Sequence, residues 1–350
     1  MNKKKRLKKI LMISGCVVLA LAAACTTIAC RYYFTYYHPN VMAVDEPLYI
    51  YVPTGATFSH LLDSLSTHLR RPKAFVRAAR KERLPERLKG GRYQLKEEMN
   101  NKTMVRMFAL GWQTPVNLVV AGNIRSVEKL AAILSRPLET DSLSMLLTLK
   151  DDAFIGSMGF DSTSLFSLIL PNTYHVYWNT SPPKVLERLY KEYRTFWNEE
   201  RMNTASAMGF TALQVSTLAS IVYEETRYQP EMPAIAGVYL NRLKIGMLLQ
   251  ADPTLLFALR DPTIRRVLSK DTKVDSPYNT YKHKGLPPGP ICVPSLATLD
   301  AVLHYQTHNY LYFCANPEFN GSHLFAANYA EHLRNAKAYH RALNQREIKR

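Results

Sequence analysis

One glutamate of the chain occupies a position at which a carboxyl group could donate a proton. The stretch LASIVYEET covers residues 218–226, and a helix through it places Glu225 on the apolar stripe formed at i, i+3, i+4 and i+7 by Val215, Leu218, Ile221 and Val222. A carboxyl group on such a stripe is either desolvated, which raises its pKa and suits a general acid near neutral pH, or paired with a structural partner. Glu224 lies about 100° away around the helix, so we expect it to be exposed and to have no part in catalysis.

Three uncommon strings follow this glutamate in order. They are VYLNRLKIGMLLQADPT over residues 238–254, SPYNTYKHKGLPPGPI over 276–291 and GSHLFAAN over 321–328. Together with LASIVYEET they resemble the endolytic murein transglycosylases of the membrane-anchored YceG-like (MltG) family, whose strings read ASIIEKET, NRL-IGM-LQ-DPT, YNTY--GLPPGPI and H-F--N. The resemblance covers residues 211–342. It implies an α+β protein with an N-terminal transmembrane helix, a small LysM-like β-α-α-β module and a mixed α/β catalytic domain of the YceG-like type.

The resemblance also implies a set of site residues. Glu225 matches the second glutamate of the family's E-x-E-T string and is therefore expected to be the catalytic residue, whereas the first glutamate is replaced by Tyr223. No metal or organic cofactor is implied. The residues of the other strings that are expected to bind substrate are Asn241, Arg242, Gln250, Asp252, Thr254, Tyr278, Asn279, Thr280, Tyr281, His323 and Asn328.

Several of these residues also fit purely structural roles. Asn241 and Arg242 lie on a helix predicted over residues 231–246, where they can brace a loop or orient Glu225. Asp252, on a segment expected to be extended or a turn, can instead cap the next helix. His323 can form a structural hydrogen bond, contact substrate or tune Glu225. The sequence leaves each of these alternatives open.

Two loops are expected to line a cleft. The string YNTY at residues 278–281 offers amide and hydroxyl groups between aromatic rings, which suits a sugar with acetamido groups. The proline-rich segment 285–290 is expected to form one wall. A second border is expected from a loop containing Pro171, Thr173 and Tyr174. There the family usually has Glu-Gly and then an Asp, and this chain has Ser167, Leu168 and Asn172.

A single acid is enough for the reaction that the resemblance implies. In a lytic transglycosylase the C6 hydroxyl of the muramoyl sugar attacks its own anomeric carbon, so no second carboxylate has to activate water. The expected activity is endolytic cleavage of the MurNAc-GlcNAc β-1,4 bond with 1,6-anhydroMurNAc ends, which would terminate nascent strands. A hydrolytic muramidase, with Asp252 or Asp275 as second carboxylate, and a non-catalytic peptidoglycan-binding scaffold are the alternatives.

The N-terminal part of the chain has the pattern of a membrane anchor. Residues 10–30 contain no charged side chain and can cross a bilayer as a helix. Because the basic tail, residues 1–9, should stay in the cytoplasm, we expect a single-pass protein of the cytoplasmic (inner) membrane with its catalytic domain in the periplasm. The run AAAC at residues 22–25 is also compatible with signal-peptidase or lipoprotein processing.

The remaining chain divides into three predicted regions. Residues 45–115 should form the LysM-like module, with a strand, a turn and a helix over 48–65, a helix over 72–81, a strand near 90–95 and a helix over 102–109. It either binds glycan or acts as a spacer. Residues 116–205 connect it to the catalytic domain, residues 206–350, and should contain a strand, a turn and a helix before a polar, irregular middle.

Charge and cysteine usage add weaker constraints. The 350 residues carry a formal net charge of +17. A second basic cluster over residues 70–89 is either a solvated helix face or a surface that attracts an anionic polymer or membrane. The expected partners are peptidoglycan strands, the cytoplasmic membrane and peptidoglycan synthases, and nucleic acid is disfavoured by the compartment. Cys292 and Cys314 can form a disulfide or remain free. His304 and His308 can share a helix face, but lack the pattern of a zinc site.

Overall fold

The computed structural model describes residues 2–43, 46–261, 264 and 267–345. The first residue of the predicted LysM-like module, residue 45, and the last five of the predicted catalytic domain, 346–350, lie outside the described residues. The chain folds into two compact units. The first comprises residues 1–116 and 175–180, and the second residues 117–174 and 181–350.

The N-terminal helix is longer than the apolar segment predicted to span a membrane. Helix α1 covers Asn2–Tyr36, and the stretch Lys3–Tyr36 is long and apolar enough to cross a bilayer, with a mean hydropathy of 2.2 in its most apolar window. The side chains of the apolar segment are exposed. Tyr36, at the end of the helix, is buried in the core of the first unit, so the helix continues directly into the folded part of the chain.

The first unit contains the β-α-α-β order that the sequence predicts. Strands β1, Leu48–Val52, and β2, Gly91–Leu95, pair antiparallel with Ile50 opposite Tyr93. Between them lie α2, Phe58–Leu65, a 3₁₀ turn, Ser66–His68, α3, Pro72–Lys81, and the short α4, Leu84–Arg87. Helix α5, Asn101–Leu110, follows β2, and the Asn100 side chain accepts a hydrogen bond from the backbone N–H of Thr103 at its start.

The predicted irregular middle of the chain is in fact largely helical. After strand β3, Val116–Val120, and helix α6, Val127–Ser135, come α7, Ser142–Leu149, α8, Asp152–Ser157, and α9, Leu165–Leu168. The side chains of Asp141 and Asp151 cap α7 and α8. Strand β4, Asn172–Val176, which pairs with β3, replaces the loop expected around Tyr174. Helices α10, Pro182–Phe196, and α11, Glu199–Ala207, complete this part.

The predicted catalytic region is built on two helices. Helix α12 covers Ala212–Glu225, and α13 covers Met232–Lys244 after a 3₁₀ turn, Gln229–Glu231. They are followed by α14, Asp252–Leu259, a 3₁₀ turn, Asp271–Lys273, α15, Leu296–Leu303, the antiparallel strands β5, Tyr312–Ala315, and β6, His323–Ala326, and α16, Tyr329–Gln345. Packing of α12 against α13 and α15 buries the apolar stripe that precedes Glu225.

Two local expectations for this region are wrong. Asp252 is the first residue of α14 and not part of an extended or turn segment, because Pro253 lacks a backbone N–H and is well tolerated in the first turn of a helix. His304 and His308 do not share a helix face, since α15 ends at Leu303. Cys292 and Cys314 are both free thiols.

Candidate active site

Helix α12 delivers a carboxyl group at its last residue. Its first turn is fixed by a capping box in which Thr211 and Gln214 exchange side-chain and backbone hydrogen bonds. Its last residue is Glu225, because the chain becomes extended at Thr226. A carboxylate at the carboxyl end of a helix faces the negative end of the helix dipole, so this position favours the protonated acid.

Glu225 is half-buried as a residue, and its carboxyl group lies among buried side chains. Its Oε1 atom accepts a hydrogen bond of 2.8 Å from the hydroxyl of Tyr239 on α13. Burial raises the pKa of Glu225 to about 7, the Tyr239 hydrogen bond opposes this rise, and the negative charge of Asp252 adds to it. A group with such a pKa holds its proton near neutral pH and can also take one back.

Glu224 is not the exposed neighbour that the helical spacing predicts. Its side chain is only 2% exposed, because Arg125, from the turn before α6, donates hydrogen bonds to both carboxylate oxygens. The Nη2 atom of Arg227 lies 3.9 Å from Oε2 of the same carboxylate, and its guanidinium lies 4.1 Å from the centre of the Tyr223 ring. Glu224 is therefore a buried, paired structural carboxylate.

Arg242 and Asn241 hold the loops that surround the glutamate. The Arg242 guanidinium is buried and donates hydrogen bonds of 2.7 Å to the Leu311 carbonyl and 2.6 Å to the Leu249 carbonyl. The Asn241 amide donates to the carbonyl oxygens of His308, at 2.8 Å, and Tyr310, at 3.0 Å. Arg242 also places a positive charge that lowers the pKa of Glu225, against the larger effect of burial.

Asp252 and Tyr281 form a second polar pair, and the charge of Asp252 acts on Glu225. The hydroxyl of Tyr281 donates a short hydrogen bond to the Asp252 carboxylate. Burial, followed by this hydrogen bond, raises the pKa of Tyr281, and the charge of Glu225 contributes to the same rise. Asp252 itself is exposed, so its carboxylate is open to a ligand although one oxygen is occupied by Tyr281.

The segment of residues 250–254 is tied to the YNTY string by a group of hydrogen bonds. The Thr280 hydroxyl accepts from the Ala251 backbone N–H at 3.0 Å and lies 2.9 Å from the Thr254 hydroxyl. The Thr280 carbonyl accepts from the Gln250 backbone N–H at 3.1 Å. Thr254 and Thr280 are buried, whereas the Gln250 side chain is exposed at a positive φ of 49°. The two threonines therefore join the segments, and Gln250 faces solvent.

Asn279 and Tyr278, two further residues of the YNTY string, also contact neighbouring side chains and backbone. Asn279 is fully buried, and its amide donates hydrogen bonds to the carbonyl oxygens of Thr272, at 3.0 Å, and Val274, at 2.7 Å. Tyr278 packs its ring on Phe257 with a centroid distance of 4.8 Å. These contacts make Asn279 a brace of its own loop.

The proline-rich segment is fixed directly to α12. The Ile291 backbone N–H donates a hydrogen bond of 3.0 Å to the hydroxyl of Ser220, on the same helix as Glu225. Gly289 is required for a different reason, because a Cβ atom there would lie 2.0 Å from the carbonyl oxygen of Thr163. The wall predicted from this segment is thus held at a fixed position relative to the helix that carries Glu225.

His323 is bound to an acid that the sequence reading did not identify. Its Nδ1 atom lies 2.9 Å from Oε2 of Glu231, and its backbone N–H donates to both oxygens of the same carboxylate. This contact joins β6 to the start of α13. Asn328 accepts a hydrogen bond of 2.9 Å from the Glu331 backbone N–H at the start of α16, so it acts as a helix cap.

Comparison with known proteins identifies the family. The sequence profile of the YceG-like family matches residues 50–338. The chain belongs to the YceG-like family. A relative from Bacillus subtilis (strain 168), named endolytic murein transglycosylase, is 27% identical over 318 residues, which cover 85% of this chain and 86% of the relative.

Two further relatives agree with this membership. A Streptococcus pneumoniae protein (strain D39), also named endolytic murein transglycosylase, is 34% identical over 137 residues, which are 38% of this chain and 25% of that protein. The crystal structure of a yceG-like protein from Listeria monocytogenes superposes with a TM-score of 0.54 at 25% identity and covers 83% of this chain and 99% of that one. The fold is accordingly of the YceG-like type.

Within this YceG-like chain, the site residues sort by what they contact. Tyr239, Arg242 and Asp252 exert charge or hydrogen-bond effects on Glu225, and Tyr281 is paired with Asp252. The other predicted substrate-binding residues that hold loops together or cap a helix are Asn241, Thr254, Asn279, Thr280 and Asn328. Tyr239 was missed as a site residue, although its position on the same face of α13 as Arg242 could have identified it. Among the residues that the structure describes, no group of three or more His, Cys, Asp and Glu side chains could hold a metal ion.

Proposed function

We propose that this protein is an endolytic peptidoglycan lytic transglycosylase with Glu225 as its catalytic acid and base. The observation that supports this most strongly is a carboxyl group at the end of a buried helix whose pKa is raised by burial to about 7. The relatives named endolytic murein transglycosylase share the family with this chain. The proposed cleavage point is the MurNAc-GlcNAc β-1,4 bond within glycan strands.

In the first step, protonated Glu225 gives its proton to the oxygen that links the two sugars. The bond between this oxygen and the anomeric carbon of MurNAc breaks, and GlcNAc leaves with a free C4 hydroxyl. Positive charge develops on the MurNAc ring as the bond breaks. The Asp252 carboxylate, whose charge already acts on Glu225, is suited to stabilise that charge.

In the second step, ionised Glu225 takes the proton of the C6 hydroxyl of MurNAc. The C6 oxygen forms a bond to the anomeric carbon, which closes the 1,6-anhydro ring and returns Glu225 to its protonated form. The hydroxyl and the anomeric carbon belong to one sugar, so the reaction needs no bound water and gains from their high effective concentration. The Tyr239 hydroxyl donates its hydrogen bond to Glu225 and stabilises the ionised form between the steps.

The mass of the products tests this mechanism against hydrolysis. A muramidase would use Asp252 to activate a water molecule, so one molecule of water would be added for each bond cleaved, with its oxygen on the muramoyl end. Lytic transglycosylation gives muramoyl ends that are lighter by one water. Mass spectrometry of fragments released from purified sacculi should detect anhydro ends only. Reducing muramoyl ends, especially with label from ¹⁸O-water, would show hydrolysis instead.

The first unit and α1 are proposed to place this activity at the membrane. Helix α1 would anchor the chain in the cytoplasmic membrane with its N-terminus in the cytoplasm and both folded units in the periplasm, close to peptidoglycan synthases. The β-α-α-β arrangement of β1, α2, α3 and β2 supports a LysM-like role in holding the glycan strand. An alkaline phosphatase fusion after residue 345 tests the orientation: activity is expected, and an inactive fusion would contradict it. The lengths of glycan strands can be compared between wild type and a strain that lacks the protein. An unchanged length distribution in that strain would contradict a role in ending nascent strands.

A further inference from the structure

A cationic cavity lies where the N-terminal helix enters the first unit. It has a volume of about 520 Å³ and lies between the end of α1 and the start of α3. Its cationic lining side chains are Arg31, Arg71, Lys73 and Arg77, beside the ring of Phe34. No acidic side chain lines it among the described residues. A cavity with this concentration of positive charge is suited to an anionic ligand.

One guanidinium group beside the cavity has a buried nitrogen atom. The Nη2 atom of Arg71 is shielded from solvent and has no hydrogen-bond partner among the described residues. The guanidinium carbon lies 5.5 Å from the centre of the Phe34 ring. The guanidinium is held beside this ring at the edge of the cavity, where its positive charge adds to that of the other cationic side chains.

The position of Arg71 is fixed by a pair of buried asparagines. The Asn40 side chain accepts from the Arg71 backbone N–H at 2.7 Å and donates to the Asn101 side chain at 2.7 Å. Asn101 in turn donates to the Thr35 carbonyl, near the end of α1, at 2.8 Å. These bonds hold the end of α1 and the start of α3 together, so the cavity is built into the first unit.

The cavity lies at the level where the apolar segment ends. Arg31 is the first charged residue after residues 10–30, and Phe34 is exposed one turn further on. In a bilayer, this level corresponds to the lipid headgroups. We propose that the cavity binds the headgroup phosphate of an anionic membrane phospholipid through the cationic side chains that line it. The proposal rests on α1 acting as a membrane anchor and is independent of glycan cleavage.

Lipid binding to the full-length protein in detergent tests this proposal. Native mass spectrometry measures the dissociation constant of the first bound phosphatidylglycerol or phosphatidylcholine molecule with identical acyl chains. The variants are Arg71→Gln, Arg77→Gln and, as a matched control, Arg80→Gln, an exposed arginine of α3 that does not line the cavity. Loss of one positive charge next to a lipid headgroup should weaken binding about five-fold in both Arg71→Gln and Arg77→Gln.

The expected result is tighter binding of phosphatidylglycerol than of phosphatidylcholine, reduced in Arg71→Gln and Arg77→Gln and preserved in Arg80→Gln. Equal binding of the two lipids, or an equal loss in Arg77→Gln and Arg80→Gln, would overturn the proposal. Inorganic phosphate that competes at a similar concentration would overturn the lipid assignment in favour of a free-phosphate site. If Arg71→Gln fails to fold, Arg77→Gln decides the result.

Failure of this proposal can be separated from failure of the proposals on which it depends. Extraction of the protein from membranes by alkaline carbonate would contradict the anchor itself, whatever the lipid preference. Release of glycan fragments from sacculi in detergent should be the same for wild type and Arg77→Gln, because the cavity takes no part in the chemistry.

Discussion

Replacing Glu225 by glutamine should stabilise the protein, and the gain should depend on pH. The pKa of Glu225 is raised from its ordinary 4.5 to about 7, first because the group is buried. A shift of one pKa unit corresponds to about 1.4 kcal/mol. Ionising the carboxyl group therefore costs the folded state about 3 kcal/mol more than it costs the unfolded chain. Glutamine removes this charge and still offers Tyr239 an oxygen acceptor.

The direction of the pH dependence follows from proton uptake. Between about pH 4.5 and pH 7 the folded wild type keeps a proton that the unfolded chain has lost, so its free energy of unfolding falls as the pH rises. The advantage of Glu225→Gln should be close to zero below this range and should reach about 3 kcal/mol at about pH 8.

Denaturant unfolding of the second unit provides the assay. Trp112 and Trp178 belong to the first unit, and Trp197 is buried in the second. In a background with the first two replaced by phenylalanine, Trp197 fluorescence reports the unit that contains Glu225. The free energies of unfolding of wild type and Glu225→Gln are then compared at about pH 5 and about pH 8.

The neighbouring glutamate supplies the matched control. Glu224→Gln removes a buried carboxylate paired with Arg125 and Arg227, so it should destabilise the same unit at about pH 8. Two glutamine substitutions at adjacent positions are therefore expected to act in opposite directions. A Glu225→Gln protein that is no more stable than wild type at about pH 8, or whose advantage is the same at both pH values, would refute the reasoning.

Three further substitutions test other contacts of the site. Tyr239→Phe removes the hydrogen bond that lowers the pKa of Glu225. The alkaline limb of the pH profile of kcat/KM should therefore shift to higher pH by about half a unit to one unit, and a limb that stays in place or shifts to lower pH would contradict this. Gly289→Ala should lower the free energy of unfolding by about 2 kcal/mol or more, since the new Cβ would lie 2.0 Å from a carbonyl oxygen, whereas Gly285→Ala, which has open space but a φ of 87°, should cost only about 1 kcal/mol. Arg242→Lys should cost about 2 kcal/mol, because an ammonium group cannot reproduce both guanidinium hydrogen bonds to backbone carbonyls, and a melting temperature equal to that of wild type would show that those bonds contribute little.

Local signals made much of the fold predictable from the sequence. Helix α12 was predictable because apolar periodicity ends at Glu225 and Thr211 provides a cap. The order of β1, α2, α3 and β2 was predictable from short alternating strands and a Pro at the start of α3. The short helices α7 and α8 were missed although Asp141 and Asp151 cap them, because too few turns follow to show a clear period.

The site was less predictable because its important contacts join distant parts of the chain. Helical spacing placed Glu224 on the outward face, and only the fold brings Arg125 to it from 99 residues away. Glu231 was not singled out because its partner, His323, is 92 residues further along. The strings of the YceG-like family indicated the segments that surround Glu225, but a string does not separate a residue that could touch substrate from one, such as Asn279, that braces its own loop.

The central claim is that Glu225 performs the chemistry, and the most direct measurement is the rate at which anhydromuramoyl ends appear. Wild type, Glu225→Gln and Glu224→Gln proteins are incubated with purified sacculi, and the ends are counted by mass spectrometry. We predict anhydro ends from wild type, a loss of about a hundred-fold or more in Glu225→Gln, and activity in whatever fraction of Glu224→Gln is folded. Anhydro ends produced by folded Glu225→Gln at the wild-type rate would contradict the account.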